Sequence, residues 1–152
     1  MTTRAIELLI TWFGSGYLKP ASGTWGSLAS LPLGILLNWA LGPSILVGTA
    51  LVLYVAGVVL GGVYLVTAEH PDPDDFVLDE VVGQWITLSA APLSLVGILV
   101  AFLVFRLFDI VKPWPASWID RRMHGALGVM SDDLVAGVYG ALAVFLAGGL
   151  FP

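Results

Sequence analysis

Three long stretches of the chain contain no Asp, Glu, Lys, Arg or His: residues 20–68, 81–105 and 134–152. Each is dominated by Leu, Val, Ala, Ile and Gly, and none alternates polar and apolar positions as a half-buried strand would. A helix that crosses a bilayer needs about 20 apolar residues. The first stretch is too long for one crossing. Gly42-Pro43 divides it, because proline suits the first turn of a helix and disrupts an interior. The pattern predicts a short helix over 28–41 and a full-length one over 44–67, joined as a hairpin. The second stretch either crosses once or is broken by Pro92 into two short helices. The third predicts a crossing helix over 134–151. Gly57, Gly61 and Gly62 read as ordinary sites of close helix packing. The expected fold is all-α, a small polytopic membrane bundle with short re-entrant or hairpin helices, forming one domain over 1–152.

Composition sharpens this picture. The chain is 58% hydrophobic and only 11% charged, whereas a soluble domain is about 25% charged. Too little polar surface is available for water to be its solvent on all sides, so lipid is expected around it. Cysteine is absent, which excludes disulfides, thiol nucleophiles and thiolate-bound zinc. The net charge of -5 argues against nucleic acid as a partner. The N-terminal stretch has one cation, Arg4, and its apolar run is interrupted by Glu7, so it does not read as a cleaved signal.

The charges lie between the apolar stretches. Arg4, Glu7 and Lys19 form a first group; Glu69, Asp72, Asp74, Asp75, Asp79 and Glu80 a second; Arg106 to Asp133 a third. All six cations belong to the first and third groups, which the positive-inside tendency places at the cytoplasmic face. The acidic group joins them only if both hairpins return to that face.

Four segments carry candidate chemistry. Gly14–Ser27 is rich in glycine and hydroxyls and reads as a loop before an apolar helix. Either it cradles an anion with backbone N–H groups or it is a plain loop with Ser27 as N-cap. It lacks the Gly-Lys-Ser/Thr ending of a P-loop. Asp79-Glu80 opens an apolar helix and suits either Mg²⁺ or the helix dipole. Asp72-Pro73-Asp74-Asp75 lacks the glycine and terminal glutamate of an EF-hand and reads as solvated loop. Arg106, Asp109 and Lys112 recur every three residues and share a helix face beside an apolar span, where charges are functional by default. Ser131-Asp132-Asp133 is either a capped helix start or the mouth of a Mg²⁺ site. His70 and His124 show no ligand spacing, and Arg121 and Arg122 suit anionic headgroups.

Taken in order, these blocks resemble the phosphatidylglycerophosphatase A family of bacterial lipid phosphatases. The resemblance runs from Gly14-x-Gly16 through Gly23-Thr24-Trp25-Gly26-Ser27 to Asp79-Glu80-Val81-Val82-Gly83-Gln84-Trp85. It continues through Phe105-Arg106-Leu107-Phe108-Asp109-Ile110-Val111-Lys112-Pro113-Trp114-Pro115 and ends in Gly128–Gly137 with Ser131-Asp132-Asp133. Ser22 departs from the proline common there, and the His124-Gly125-Ala126 stretch is less glycine-rich. The resemblance implies a Mg²⁺-dependent phosphoric monoester hydrolase of the bacterial inner membrane, acting at the cytoplasmic face on phosphatidylglycerophosphate. It implies Mg²⁺ on Asp79, Glu80, Asp132 and Asp133, and catalytic roles for Asp79, Asp109, Arg106, Lys112 and Asp133. Phosphate binding would fall to Lys19, Gly23, Thr24, Gly26 and Ser27 with Arg106 and Lys112. The rival expectation is a non-enzymatic ion-binding transporter or scaffold, whose charges would line a path through the helices instead of converging at one face.

Overall fold

The structure, a computed structural model, describes residues 3–67 and 73–148. Glu69 and Asp72 of the acidic group, and His70 between them, lie outside the described residues. Seven α-helices and no strand occur among the described residues: α1 (Thr3–Ile10), α2 (Ser22–Leu41), α3 (Pro43–Thr67), α4 (Leu78–Ser89), α5 (Leu95–Val111), α6 (Ala116–Arg122) and α7 (Gly125–Leu146). Two helices, α3 and α7, are long and apolar enough to cross a membrane.

The hairpin at Gly42-Pro43 is as expected. Gly42 leaves α2 at φ +86°, a conformation that glycine adopts freely, and Pro43 opens α3. Pro92 does break the second apolar stretch. α4 ends at Ser89, and α5 restarts at Leu95 with Ser94 as its N-cap, its hydroxyl accepting from the Gly97 N–H at 3.1 Å. Two helix starts differ from expectation. α2 begins at Ser22 instead of Leu28, and α7 begins at Gly125 instead of Leu134. The glycines that make these segments resemble loops are contact points between helices. A Cβ on Gly26 would lie 2.6 Å from the Val77 Cβ, and one on Gly128 would run into the Met123 carbonyl. Gly57 and Gly61 pack closely as expected, against Met130 and Phe76, whereas a Cβ on Gly62 would meet nothing.

α4 is the centre of the bundle. Leu78, Asp79 and every residue from Val81 to Leu88 are buried. Its closest neighbour is α7, because Gly83 and Gly137 face each other: a Cβ on Gly137 would sit 2.7 Å from the Gly83 Cα. The Thr87 hydroxyl lies 3.1 Å from the carbonyls of both Gly83 and Gly137, and the Trp85 indole donates to the Ser30 carbonyl at 3.0 Å. Outside the bundle the surface is apolar, with Val52, Val55 and Val59 of α3, Leu103 and Ile110 of α5, and Phe145 of α7 exposed. Asp79, Gln84, Asp132 and Asp133 are inside. This inversion of the water-soluble pattern is what a lipid environment demands.

Cross-helix contacts fix the directions. Gly23 meets Glu80 while Asn38 donates to the Leu88 carbonyl, so α2 runs parallel to α4. Gly83 meets Gly137 and Thr87 meets Gly140, so α7 does too. Gly57 packs on Met130 and Gly61 on Ala126, so α3 runs the opposite way. α5 also returns, from Gly97 beside Pro92 to Arg106 beside Glu80. The starts of α2, α4 and α7 and the ends of α3 and α5 therefore gather at one end of the bundle. Both hairpins return, as a single shared site requires.

Candidate active site

At that polar end, the first turn of α4 supplies Asp79 and Glu80, and α7 supplies Asp133 from its third turn. One carboxylate oxygen from each lies within 4.8 Å of the others. Asp79 is 7% and Asp133 3% exposed, so this charge is concentrated out of water. Burial, then the charges of Glu80 and Asp133, pushes the Asp79 carboxyl well above the ordinary carboxylate range. Burial likewise raises Glu80. Both groups belong to α4, which is too short to cross a bilayer.

The cations close around this cluster. Arg106 of α5 is ion-paired with Asp109, one turn on, and its Nη1 lies 4.0 Å from the Glu80 Oε1. The same nitrogen donates to the Ser27 hydroxyl at 3.5 Å, and that hydroxyl donates to the Gly23 carbonyl at 2.8 Å. Ser27 is therefore inside α2 and caps nothing. Gly23 is where α2 meets the carboxylates: a Cβ there would collide with the Glu80 Oε1 and lie 3.2 Å from the Arg106 Nη1. No other residue type leaves that space.

Arg106 and Asp109 share a face as expected, but Lys112 does not continue it. It ends α5 in the left-handed region, at φ +47°. Its ammonium reaches Asp120 of α6 at 2.8 Å and is also ion-paired with Asp132. Burial opposes its charge, but the hydrogen bonds to Asp120 and Asp132 outweigh that and raise its pKa above the ordinary lysine value. Asp132 and Asp133 thus diverge, because consecutive helical residues point about 100° apart. Asp132 anchors Lys112, while Asp133 faces the carboxylates, so of the four carboxylates expected at the metal it is Asp79, Glu80 and Asp133 that come together. Ser131 is not a cap. It lies inside α7, donates to the Leu127 carbonyl at 2.6 Å and shares a 2.8 Å hydrogen bond with the Tyr54 hydroxyl. The reading of the two aspartates as a helix start is thereby removed.

The other predicted residues sit nearer the rim. Lys19 is ion-paired with Asp75 at 3.2 Å, Asp74 is exposed, and Gly26 faces Val77. Thr24 is half-buried in the first turn of α2. Arg121 and Arg122 are exposed on α6.

Several buried polar atoms at the site have no hydrogen-bond partner: Asp79 Oδ1, Glu80 Oε2, Arg106 Nε and both amide atoms of Gln84. Such orphans each cost roughly 1–3 kcal/mol, more for charged groups. They are rare in folded proteins unless something binds there. Three clustered carboxylates, two of them with an unpaired oxygen and one closed in by an arginine, fit a small divalent cation next to an anion. Gln84, buried and unpartnered four residues after Glu80, is a polar residue that charge-based reading misses. The signal it offered was an amide one turn after Asp79-Glu80 in an otherwise apolar helix.

Known proteins share this chain over nearly its whole length. The family model described as Phosphatidylglycerophosphatase A matches residues 8–148. A Haemophilus influenzae phosphatidylglycerophosphatase A is 44% identical, covering 92% of this chain and 86% of its own. The Escherichia coli protein of the same name is 39% identical, covering 96% and 85%. A Bacteroides thetaiotaomicron protein described as a candidate phosphatidylinositol-3-phosphatase is 36% identical, covering 92% and 91%. No solved structure matches. With the family model spanning the bundle from α1 to the end of α7 and carrying every member of the polar cluster, the chain belongs to the phosphatidylglycerophosphatase A family.

Proposed function

We propose that this protein hydrolyses the terminal phosphomonoester of phosphatidylglycerophosphate, releasing phosphatidylglycerol and inorganic phosphate, and that it requires Mg²⁺. The observation that carries the reading is the convergence of Asp79, Glu80 and Asp133 with Arg106 at one end of an apolar bundle. The rival transporter reading needs charges along a path. Yet the far ends of the helices, around residues 39–48, 89–97 and 140–148, contain none.

Asp79, Glu80 and Asp133 would hold the cation. When bound, Mg²⁺ supplies a Lewis acid that polarises the phosphoryl oxygens and lowers the pKa of water. Arg106 and Lys112 compensate the charge on the non-bridging oxygens as it shifts in the transition state. Asp109 and Asp132 hold those two cations in place through their ion pairs. Gly23, in the first turn of α2, lets Glu80 and Arg106 come against that helix start, where backbone N–H groups suit an anion. Water adds to phosphorus, the P–O ester bond breaks, and the glycerol oxygen leaves as the alcohol. The exposed apolar faces of α2 and α5 keep acyl chains in the bilayer while the headgroup bends into the site.

A panel of phospholipid phosphomonoesters tests this. Phosphate release is expected to be fastest from phosphatidylglycerophosphate. The relative named for phosphatidylinositol 3-phosphate makes that lipid the informative competitor. Absence of release from every phosphomonoester lipid would overturn the reading.

We also infer that the site faces the cytoplasm from the inner membrane. Lys19, Arg106, Lys112, Arg121 and Arg122 all belong to the site end or to α6 beside it. The chain has no cysteine, so single cysteines at Ser22, Asp74 and Ser117 are clean reporters. All three are expected to react with an impermeant maleimide only from the cytoplasmic side. Periplasmic labelling of any one contradicts the shared-face orientation.

A further inference from the structure

Gln84 is fully buried, and neither its amide oxygen nor its amide nitrogen has a hydrogen-bond partner. It lies four residues, about 6 Å, deeper along α4 than Glu80 and near the same face. Its neighbours on α4 bracket its direction. Glu80 faces Gly23 of α2 and Arg106 of α5, and Trp85 reaches Ser30 of α2. Gln84 therefore points between those contacts, into the interior behind the carboxylates, at the level of buried Ser27 and Ser30. Asp79, Glu80 and Arg106, at the polar end of the same helices, also carry buried atoms without partners. An amide that serves only packing has no reason to stand there, since an apolar side chain of the same shape would avoid its desolvation.

We propose that Gln84 is the positioning residue for the attacking water. This rests on the phosphatase reading above. In-line displacement places the incoming water opposite the leaving oxygen. The headgroup enters at the polar end of the bundle, so the leaving glycerol oxygen points outward from the cluster toward that entrance. The water then belongs on the deep side of the phosphorus, where Gln84 lies. Its amide oxygen accepts a hydrogen bond from the water, and its NH₂ group donates to a neighbouring oxygen. As the water oxygen bonds to phosphorus and the ester P–O bond breaks, the water proton passes to a carboxylate of the cluster and from there to solvent, while the departing glycerol oxygen takes up a proton from solvent at the polar end.

The test uses full-length purified protein in detergent, with Gln84→Met as an unbranched apolar match and Gln84→Leu as a second variant. Initial rates are measured against phosphatidylglycerophosphate concentration, and thermal melts are taken after EDTA treatment. The expected result is a kcat lower by about a hundredfold, the scale of losing one preorganised polar group, with KM within about twofold. The metal-free melting midpoint should stay equal or rise, because the orphaned amide is gone. A kcat within about threefold of wild type would overturn the proposal. So would a drop in both kcat and melting midpoint, or failure of both variants to fold, since either shows that the amide serves the fold. Absence of phosphate release by the wild-type protein would overturn the phosphatase reading itself.

Discussion

Treatment with EDTA is expected to abolish phosphate release, and added Mg²⁺ to restore it. The three carboxylates of Asp79, Glu80 and Asp133 come within 4.8 Å of one another in a buried site. Two unit charges about 4 Å apart repel by about 4 kcal/mol at an effective dielectric near 20. Arg106 offers some compensation at 4.0 Å from Glu80, but it is already engaged by Asp109. An incoming phosphate dianion adds further negative charge, which a bound divalent cation is expected to offset. Activity should therefore fall to background and not merely by the few-fold of a weakened contact. Full turnover with divalent cations verified as absent would sink this account.

Asp133→Asn is expected to lose at least about a hundredfold in turnover, the scale of removing one electrostatic stabiliser, without loss of fold. Had Asp133 been in a capped first turn, its removal would cost about 1 kcal/mol of stability. The structure places it in the third turn of α7, facing Asp79 and Glu80, so stability should not carry the effect. Removing one of three crowded carboxylates relieves repulsion, and the metal-free melting midpoint should hold or rise. Asp79→Asn should behave alike. Asp74→Asn, on an exposed residue, is the control and should match wild type. Melts and initial rates at saturating Mg²⁺ decide the matter. A fully active Asp133→Asn would remove α7 from the site.

The carboxylates were legible in the sequence because a charge beside an apolar span is costly and rarely idle. The breaks at Gly42-Pro43 and Pro92 were legible for equally local reasons, the φ of glycine and the missing N–H of proline. The starts of α2 and α7 were not. Gly23, Gly26, Gly125 and Gly128 look like loop residues in one dimension, and only the neighbours Glu80, Val77 and Met123 show why three of them stand in or beside helices. The divergence of Asp132 and Asp133 was also hidden, since it depends on where Lys112 lands after α5 ends. Gln84 escaped because it is neutral, and an amide in a Val- and Ile-rich run carries no flag until its burial is known.

The burial of α4 on all sides bears on how this protein is assembled. At 12 residues the helix is about 18 Å long, well short of the roughly 30 Å hydrocarbon layer. It also opens with two acidic side chains, each costing roughly 2.5–3.5 kcal/mol at mid-helix depth. No translocation machinery reading hydropathy would commit it to lipid on its own. Its place depends on Gly83 meeting Gly137 and on Trp85 reaching Ser30, contacts supplied by helices on either side of it in the chain. The outer helices must therefore already be in the bilayer when α4 seats, and Asp79 and Glu80 arrive with it to meet Asp133 of α7. Biogenesis and the gain of activity are then one event, completed only after α7 has been synthesised.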